Sequence, residues 1–192
     1  KTYPRIVGET GGKDFIVAHK SADAKQVATA IVRGAFEFQG QKCSAASRAY
    51  IPKSLWADIK KFVIADVNSF KMGSPEDMSN FVTAVIHEGS FDKLAKYIDG
   101  AKSDNDAEIV VGGGRSSQFD KGYFYNPTLL TNVRQDMQII QEEVFGPVLP
   151  VMKFVTLDEA IALANDCEYG LTSSIFSENF NKVMHASNEL EF

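Results

Sequence analysis

The chain is poor in the residues that would mark it as a metalloprotein, a secreted disulfide scaffold, a nucleic-acid binder or a membrane span. Among 192 residues there are two cysteines and three histidines. Cys43 and Cys167 lie far apart without the close spacing of metal ligands, and His19, His87 and His185 are scattered, so no zinc site is expected. So few cysteines read as a reduced, intracellular chain. Twenty basic against 25 acidic residues leave a net charge of -5, and no Lys/Arg cluster supplies an electrostatic footprint for nucleic acid. No apolar run approaches the ~20 residues that span a bilayer. Internal repeats, low-complexity tracts and linkers are also lacking. Gly112-Gly113-Gly114 matches neither G-x-G-x-x-G nor a P-loop, and no helix follows it at once.

What remains is an ordinary globular composition, 44% hydrophobic and 23% charged, enough for one domain with a real core. Arg5-Ile6-Val7-Gly8 and Phe15-Ile16-Val17-Ala18 read as strand, turn and strand around Gly11-Gly12. Ser21 offers a cap for a helix whose apolar positions run from Ala24 to Phe38 and which ends near Gly40. A strand at 48–51, a helix capped by Ser54 and ended by Gly73, a loop at 73–89 with an apolar centre at 81–86, a helix at 90–101 and a strand at 108–111 follow. Pro127 marks 124–130 as an edge strand or extended segment. Then come a strand at 148–155, a helix opened by the capping box Thr156 to Glu159, a strand at 171–176 and a last helix at 179–189. Strands alternating with helices argue a three-layer α/β/α domain over residues 1–192 with a mostly parallel sheet.

The stretch Phe38-Gln39-Gly40-Gln41-Lys42-Cys43-Ser44 puts one thiol in a small-residue loop between a helix and a strand. A nucleophilic cysteine needs N–H donors or positive charge to favour its thiolate, and Lys42 with the surrounding backbone could supply both. The plain alternative is an inert, buried thiol. Three stretches in order carry more: Glu9-Thr10-Gly11-Gly12-Lys13, then Gln39-Gly40-Gln41-Lys42-Cys43, then Glu142-Glu143-Val144-Phe145-Gly146-Pro147-Val148. Together they resemble the aldehyde dehydrogenase superfamily. Phe36 to Ala45, Ile51 to Trp56 and Gly146 to Leu149 look most like its pyrroline-carboxylate dehydrogenase branch, which oxidises glutamate γ-semialdehyde to glutamate in proline degradation.

The resemblance implies roles. Cys43 would be the nucleophile and Glu9 the general base that activates water against a thioester. Glu143 would accept hydrogen bonds from the nicotinamide-ribose hydroxyls of NAD, and Phe145 would pack beside them. Ser44 would contact the polar substrate, in a pocket lined partly by Phe36 or Phe38. Without the motif, Glu9 and Glu143 read as surface acids and Phe145 as a core aromatic. The resemblance further implies a small-molecule aldehyde as partner, no metal, no nucleic acid, no membrane, a homo-oligomer at full length, and a cytoplasmic site in a bacterium or the mitochondrial matrix in a eukaryote. No signal or transit peptide is visible, and the chain opens on Lys1-Thr2-Tyr3 as if inside a fold. The resemblance implies a cofactor-binding domain before Lys1 and a substrate loop after Phe192. From another class, a thiol hydrolase would pair Cys43 with a histidine base, His19 being nearest in sequence. It would place His19 beside the thiol and Glu9 far from it.

Overall fold

The computed structural model describes residues 2–104 and 106–191. Six strands form one sheet in the order β3-β4-β5-β2-β1-β6, with β1 Phe15–Ala18, β2 Arg48–Pro52, β3 Glu108–Val111, β4 Thr128–Thr131, β5 Val148–Phe154 and β6 Ser173–Phe176. All neighbours run parallel except β3 and β4. Side chains alternate across a strand, and the two faces carry separate cores. Ile16, Ala18, Ala49, Ile51, Leu149 and Val151 meet α1 Ala24–Phe36 and α2 Trp56–Ser69. Phe15, Val17, Tyr50, Met152 and Phe154 meet α3 Glu88–Lys102, α5 Leu157–Asn165 and α6 Phe180–Glu189. The layers are thus the expected α/β/α, with a one-turn α4 Gln138–Gln141 that periodicity does not reveal.

Several local expectations fail for identifiable reasons. Residues 5–8 form no strand, and their β-branched pair Ile6 and Val7 is exposed. Both edges of β1 are already taken by β2 and β6, so this run has no ladder beside it. α1 is capped by Asp23, whose carboxylate accepts the Gln26 N–H at 2.8 Å, while the Ser21 hydroxyl is engaged with His19 and the Glu178 N–H. α2 starts at Trp56 with no side-chain cap, and His87 caps α3 through Nδ1. β4 is an inner strand: Pro127 precedes its first paired residue, and the edge falls to the half-exposed β3. Pro150, opposite Leu130, sits in the middle of inner strand β5. The triple glycine makes a turn, with the Gly113 N–H on Thr128 Oγ1 at 2.8 Å and Gly112 and Gly113 at positive φ.

Candidate active site

Parallel topology brings distant stretches to one edge. β5, β2 and β1 are adjacent and codirectional, so the segments that lead into them open on the same side of the sheet. Those segments are 142–147 before β5, 41–47 before β2 and 9–14 before β1. The three motifs are therefore neighbours although well over a hundred residues separate the first from the last.

The chain leaves α1 through Phe38, Gln39 and Gly40, three successive residues at φ 53°, 57° and 64°. Left-handed backbone costs a non-glycine residue roughly 1–2 kcal/mol, so surrounding contacts must hold it. The Gln39 amide lies 2.9 Å from Thr83 Oγ1, and Gln41 Oε1 accepts the Ile86 N–H at 2.9 Å. Gly40 is wedged where a Cβ would overlap the Gly146 carbonyl oxygen and approach Ala35 O at 2.7 Å. The next turn is closed by the Ala45 N–H on Lys42 O at 3.0 Å, which puts Cys43 and Ser44 at its exposed tip. Ala46 N–H to Gly34 O at 2.9 Å anchors the turn to α1. Among the described residues no acceptor takes the Cys43 N–H.

Gly12 joins this turn to the third motif. A Cβ at Gly12 would overlap the Cys43 carbonyl oxygen, and the Gly12 N–H donates to Glu143 Oε1 at 2.9 Å. Gly11 is as tightly placed, its missing Cβ position lying 2.8 Å from Glu143 Oε2 and 3.3 Å from the Tyr169 ring. Phe145 is 39% exposed and held at φ 55°. Of the four non-glycine residues with positive φ among the described residues, Phe38, Gln39 and Phe145 belong to these motifs, which fits the tendency of strain to gather at working sites.

Beneath the motifs lie charged side chains that the sequence reading did not single out. Arg48 is wholly buried, donates Nε and Nη2 to the Lys13 carbonyl at 3.0 and 2.7 Å, and lies over the Phe15 ring. Lys13 is equally buried, and its Nζ donates to Ile139 O at 2.9 Å. Burial first, then the nearby Arg48 cation, brings the Lys13 pKa down to about 7, against the opposing pull of Cys167 and Glu143. Asp14 is buried with Oδ1 on the Thr172 N–H at 3.1 Å. Burial pushes its pKa up to about 6, although the Thr172 hydrogen bond and Arg48 act downward. The only sequence signal for such residues was a cation at the head of an apolar strand.

Phe36 turns away into the core against Phe70, leaving Phe38 as the exposed ring of the pair. Lys42 is tied to Glu37 at 3.0 Å, a carboxylate it shares with Arg33. Glu9 is exposed on irregular chain shortly before Gly11. His19 follows the far end of β1, about 13 Å along the strand from its start at ~3.3 Å per residue, and bonds Ser21 and Ser177. Cys43 precedes the near end of β2, so the thiol–His19 pairing that a hydrolase needs does not form. His87 caps α3 and His185 pairs with Asp158. Among the described residues no cluster of three or more His, Cys, Asp or Glu could hold a metal, and no helix is long and apolar enough to cross a membrane.

The model of the aldehyde dehydrogenase family matches residues 1–192. The mitochondrial delta-1-pyrroline-5-carboxylate dehydrogenase of Dictyostelium discoideum is 47% identical over 180 residues, 92% of this chain and 32% of that protein. The human mitochondrial enzyme of the same name is 38% identical over 98% of this chain and 34% of its own length. Among solved structures, 1-pyrroline-5-carboxylate dehydrogenase from Thermus with bound NAD superposes with a TM-score of 0.88 at 36% identity, covering 95% of this chain and 34% of that one. Betaine aldehyde dehydrogenase from Staphylococcus aureus in complex with NAD+ gives 0.90 at 37%, covering 96% and 37%. The chain thus spans about a third of the length of these relatives, and on the family match along its whole length it belongs to the aldehyde dehydrogenase family.

Proposed function

We propose that residues 1–192 form the cysteine-bearing catalytic domain of an NAD-dependent dehydrogenase that oxidises glutamate γ-semialdehyde to glutamate. The observation that carries this reading is the meeting of three motifs, with Gly12 packed on the Cys43 carbonyl and hydrogen-bonded to Glu143. Similarity to enzymes named for pyrroline-5-carboxylate supports the substrate.

A planar carbonyl cannot expel hydride, so the aldehyde must first become tetrahedral. Cys43, exposed at its turn, attacks the aldehyde carbon as thiolate and forms a thiohemiacetal. The free Cys43 N–H is placed to donate to the oxygen as it gains charge, a donor of a kind worth roughly 3–4 kcal/mol in the transition state. Glu143 and Phe145 would hold the nicotinamide end of NAD, which would supply the hydride acceptor. Glu143 fits the ribose end of that cofactor, being a half-buried carboxylate beside the exposed Phe145 ring. Its Oε1 already accepts one N–H, and a vicinal diol offers donors of the same kind. Glu9 then takes a proton from the water that cleaves the Cys43 thioester. Ser44, exposed next to the nucleophile, offers a hydroxyl to the amino-acid end of the substrate. Among the described residues no glycine-rich turn leads from a strand into a helix to cradle a pyrophosphate.

The substrate is tested by following NADH formation by the complete protein with glutamate γ-semialdehyde and with butyraldehyde, which lacks the amino-acid end. We expect kcat/KM to favour the semialdehyde by roughly 100-fold or more, since a site built to bond polar groups discriminates strongly against analogues lacking them. Equal kcat/KM for the two would remove the semialdehyde assignment.

A further inference from the structure

Lys13 meets each of the three motifs through a different atom or neighbour. Its carbonyl is gripped by two N–H groups of Arg48, the residue that opens the strand after the Cys43 turn. Its ammonium is bound to the carbonyl of Ile139, in the short helix that leads into Glu142 and Glu143. Its own segment carries Glu9 and the Gly12 that touches both Cys43 and Glu143.

This is a costly way to hold a fold together. Lys13 and Arg48 are both fully buried, and among the described residues neither forms an ion pair with a carboxylate. Burying a cation carries a penalty of several kcal/mol that hydrogen bonds to neutral carbonyls offset only in part, and apolar replacements of buried charges are often neutral or stabilising. Stability alone therefore does not account for an ammonium at this place. A directed bond to one particular carbonyl does, because a four-carbon stem can carry a donor from the glycine motif across to the start of the Glu143 strap.

We propose that Lys13 is a positioning residue of the dehydrogenase site: its ammonium, on the Ile139 carbonyl, sets the Glu143 strap against the glycine motif so that the cofactor carboxylate is held in register with Cys43. The inference rests on the reading of Glu143 as a cofactor ligand. The two sides of Lys13 are separable by mutation, since Arg48 grips the main-chain carbonyl, which any replacement keeps, whereas the side chain alone reaches Ile139.

The test is Lys13→Met in the complete protein, with Lys13→Leu beside it, read by three measurements. Thermal unfolding should give a midpoint equal to or above that of the parent, because a buried charge is removed. The rate of Cys43 alkylation by iodoacetamide should stay within about twofold, because Arg48 still fixes the glycine motif on the nucleophile turn. NAD affinity, by titration without aldehyde, should fall about tenfold, the loss of one positioning hydrogen bond in a buried setting. Three results would each overturn the proposal: unchanged NAD affinity in both variants, failure of both to fold, or a parallel loss of stability, thiol reactivity and NAD affinity that marks Lys13 as a general structural prop. The dependence on the functional reading is checked separately by Glu143→Gln. If that change leaves NAD affinity untouched, the cofactor role of Glu143 fails, whatever Lys13→Met does.

Discussion

Replacing Cys43 by alanine in the complete protein is expected to lower aldehyde oxidation by roughly 10⁴-fold or more, the scale seen when the nucleophile of a concerted catalytic group is removed. The substitution takes away an exposed thiol. Cys43 is exposed at a turn whose closing bonds are all main-chain, Ala45 to Lys42 and Ala46 to Gly34. The fold should not register the change, and an unfolding midpoint indistinguishable from the parent is part of the prediction. NAD affinity should likewise hold within about twofold, because the Cys43 carbonyl that Gly12 touches is retained and Glu143 is bound by Gly12 rather than by the thiol. The measurement is steady-state NADH formation with semialdehyde, alongside equilibrium NAD titration. Turnover within tenfold of the parent would remove Cys43 from the chemistry.

Gly40→Ala is expected to have the largest effect on stability of any single methyl added near the site. Two independent costs apply. The residue sits at φ 64°, where an L side chain costs roughly 1–2 kcal/mol, and the new Cβ would overlap the Gly146 carbonyl and crowd that of Ala35. Both are main-chain atoms, so relief requires moving either the end of α1 or the strap that carries Glu143 and Phe145, an overpacking cost of about 1–3 kcal/mol. The sum of about 2–5 kcal/mol corresponds to a fall in unfolding midpoint of roughly 4–20 °C for a domain of this size. Because the strap and the nucleophile turn are what must shift, activity should fall further than the unfolded fraction explains. A variant within 2 °C of the parent would show, at roughly 2–4 °C per kcal/mol, that this contact is slack.

The layer architecture was legible because it rests on period. Val27, Ala28, Ile31 and Ala35 repeat at helical spacing and become buried, whereas Phe38, the last position of that stripe, lies beyond α1 and is exposed, and Phe15 to Ala18 supply both sheet faces in alternation. Residues 5–8 show the limit of that reasoning: β-branched side chains favour a strand only where an edge is available, and sheet order, a long-range property, leaves none on β1, the strand that follows them. Pro127 misled in the same way. Its missing N–H matters only within a ladder, and β4 begins after it. The site was legible as motifs in sequence, and the parallel order β5-β2-β1 supplies the reason they converge. Lys13 and Arg48 were not legible as a pair. Nothing local distinguishes a buried lysine from a surface one, and each is explained by a carbonyl far away in sequence, Ile139 for one and Lys13 for the other.

The most direct test of the central claim is to catch the covalent intermediate. Glu9→Gln in the complete protein should leave attack and hydride departure intact while slowing hydrolysis of the thioester by roughly 10²–10⁴-fold, the usual contribution of a general base. Mixing that variant with NAD and glutamate γ-semialdehyde, then quenching in acid for intact-mass and peptide analysis, is predicted to give one equivalent of NADH in a burst and a glutamyl group on the peptide containing Cys43. A full-rate steady state with no adduct, or an adduct on Cys167 instead, would contradict the account.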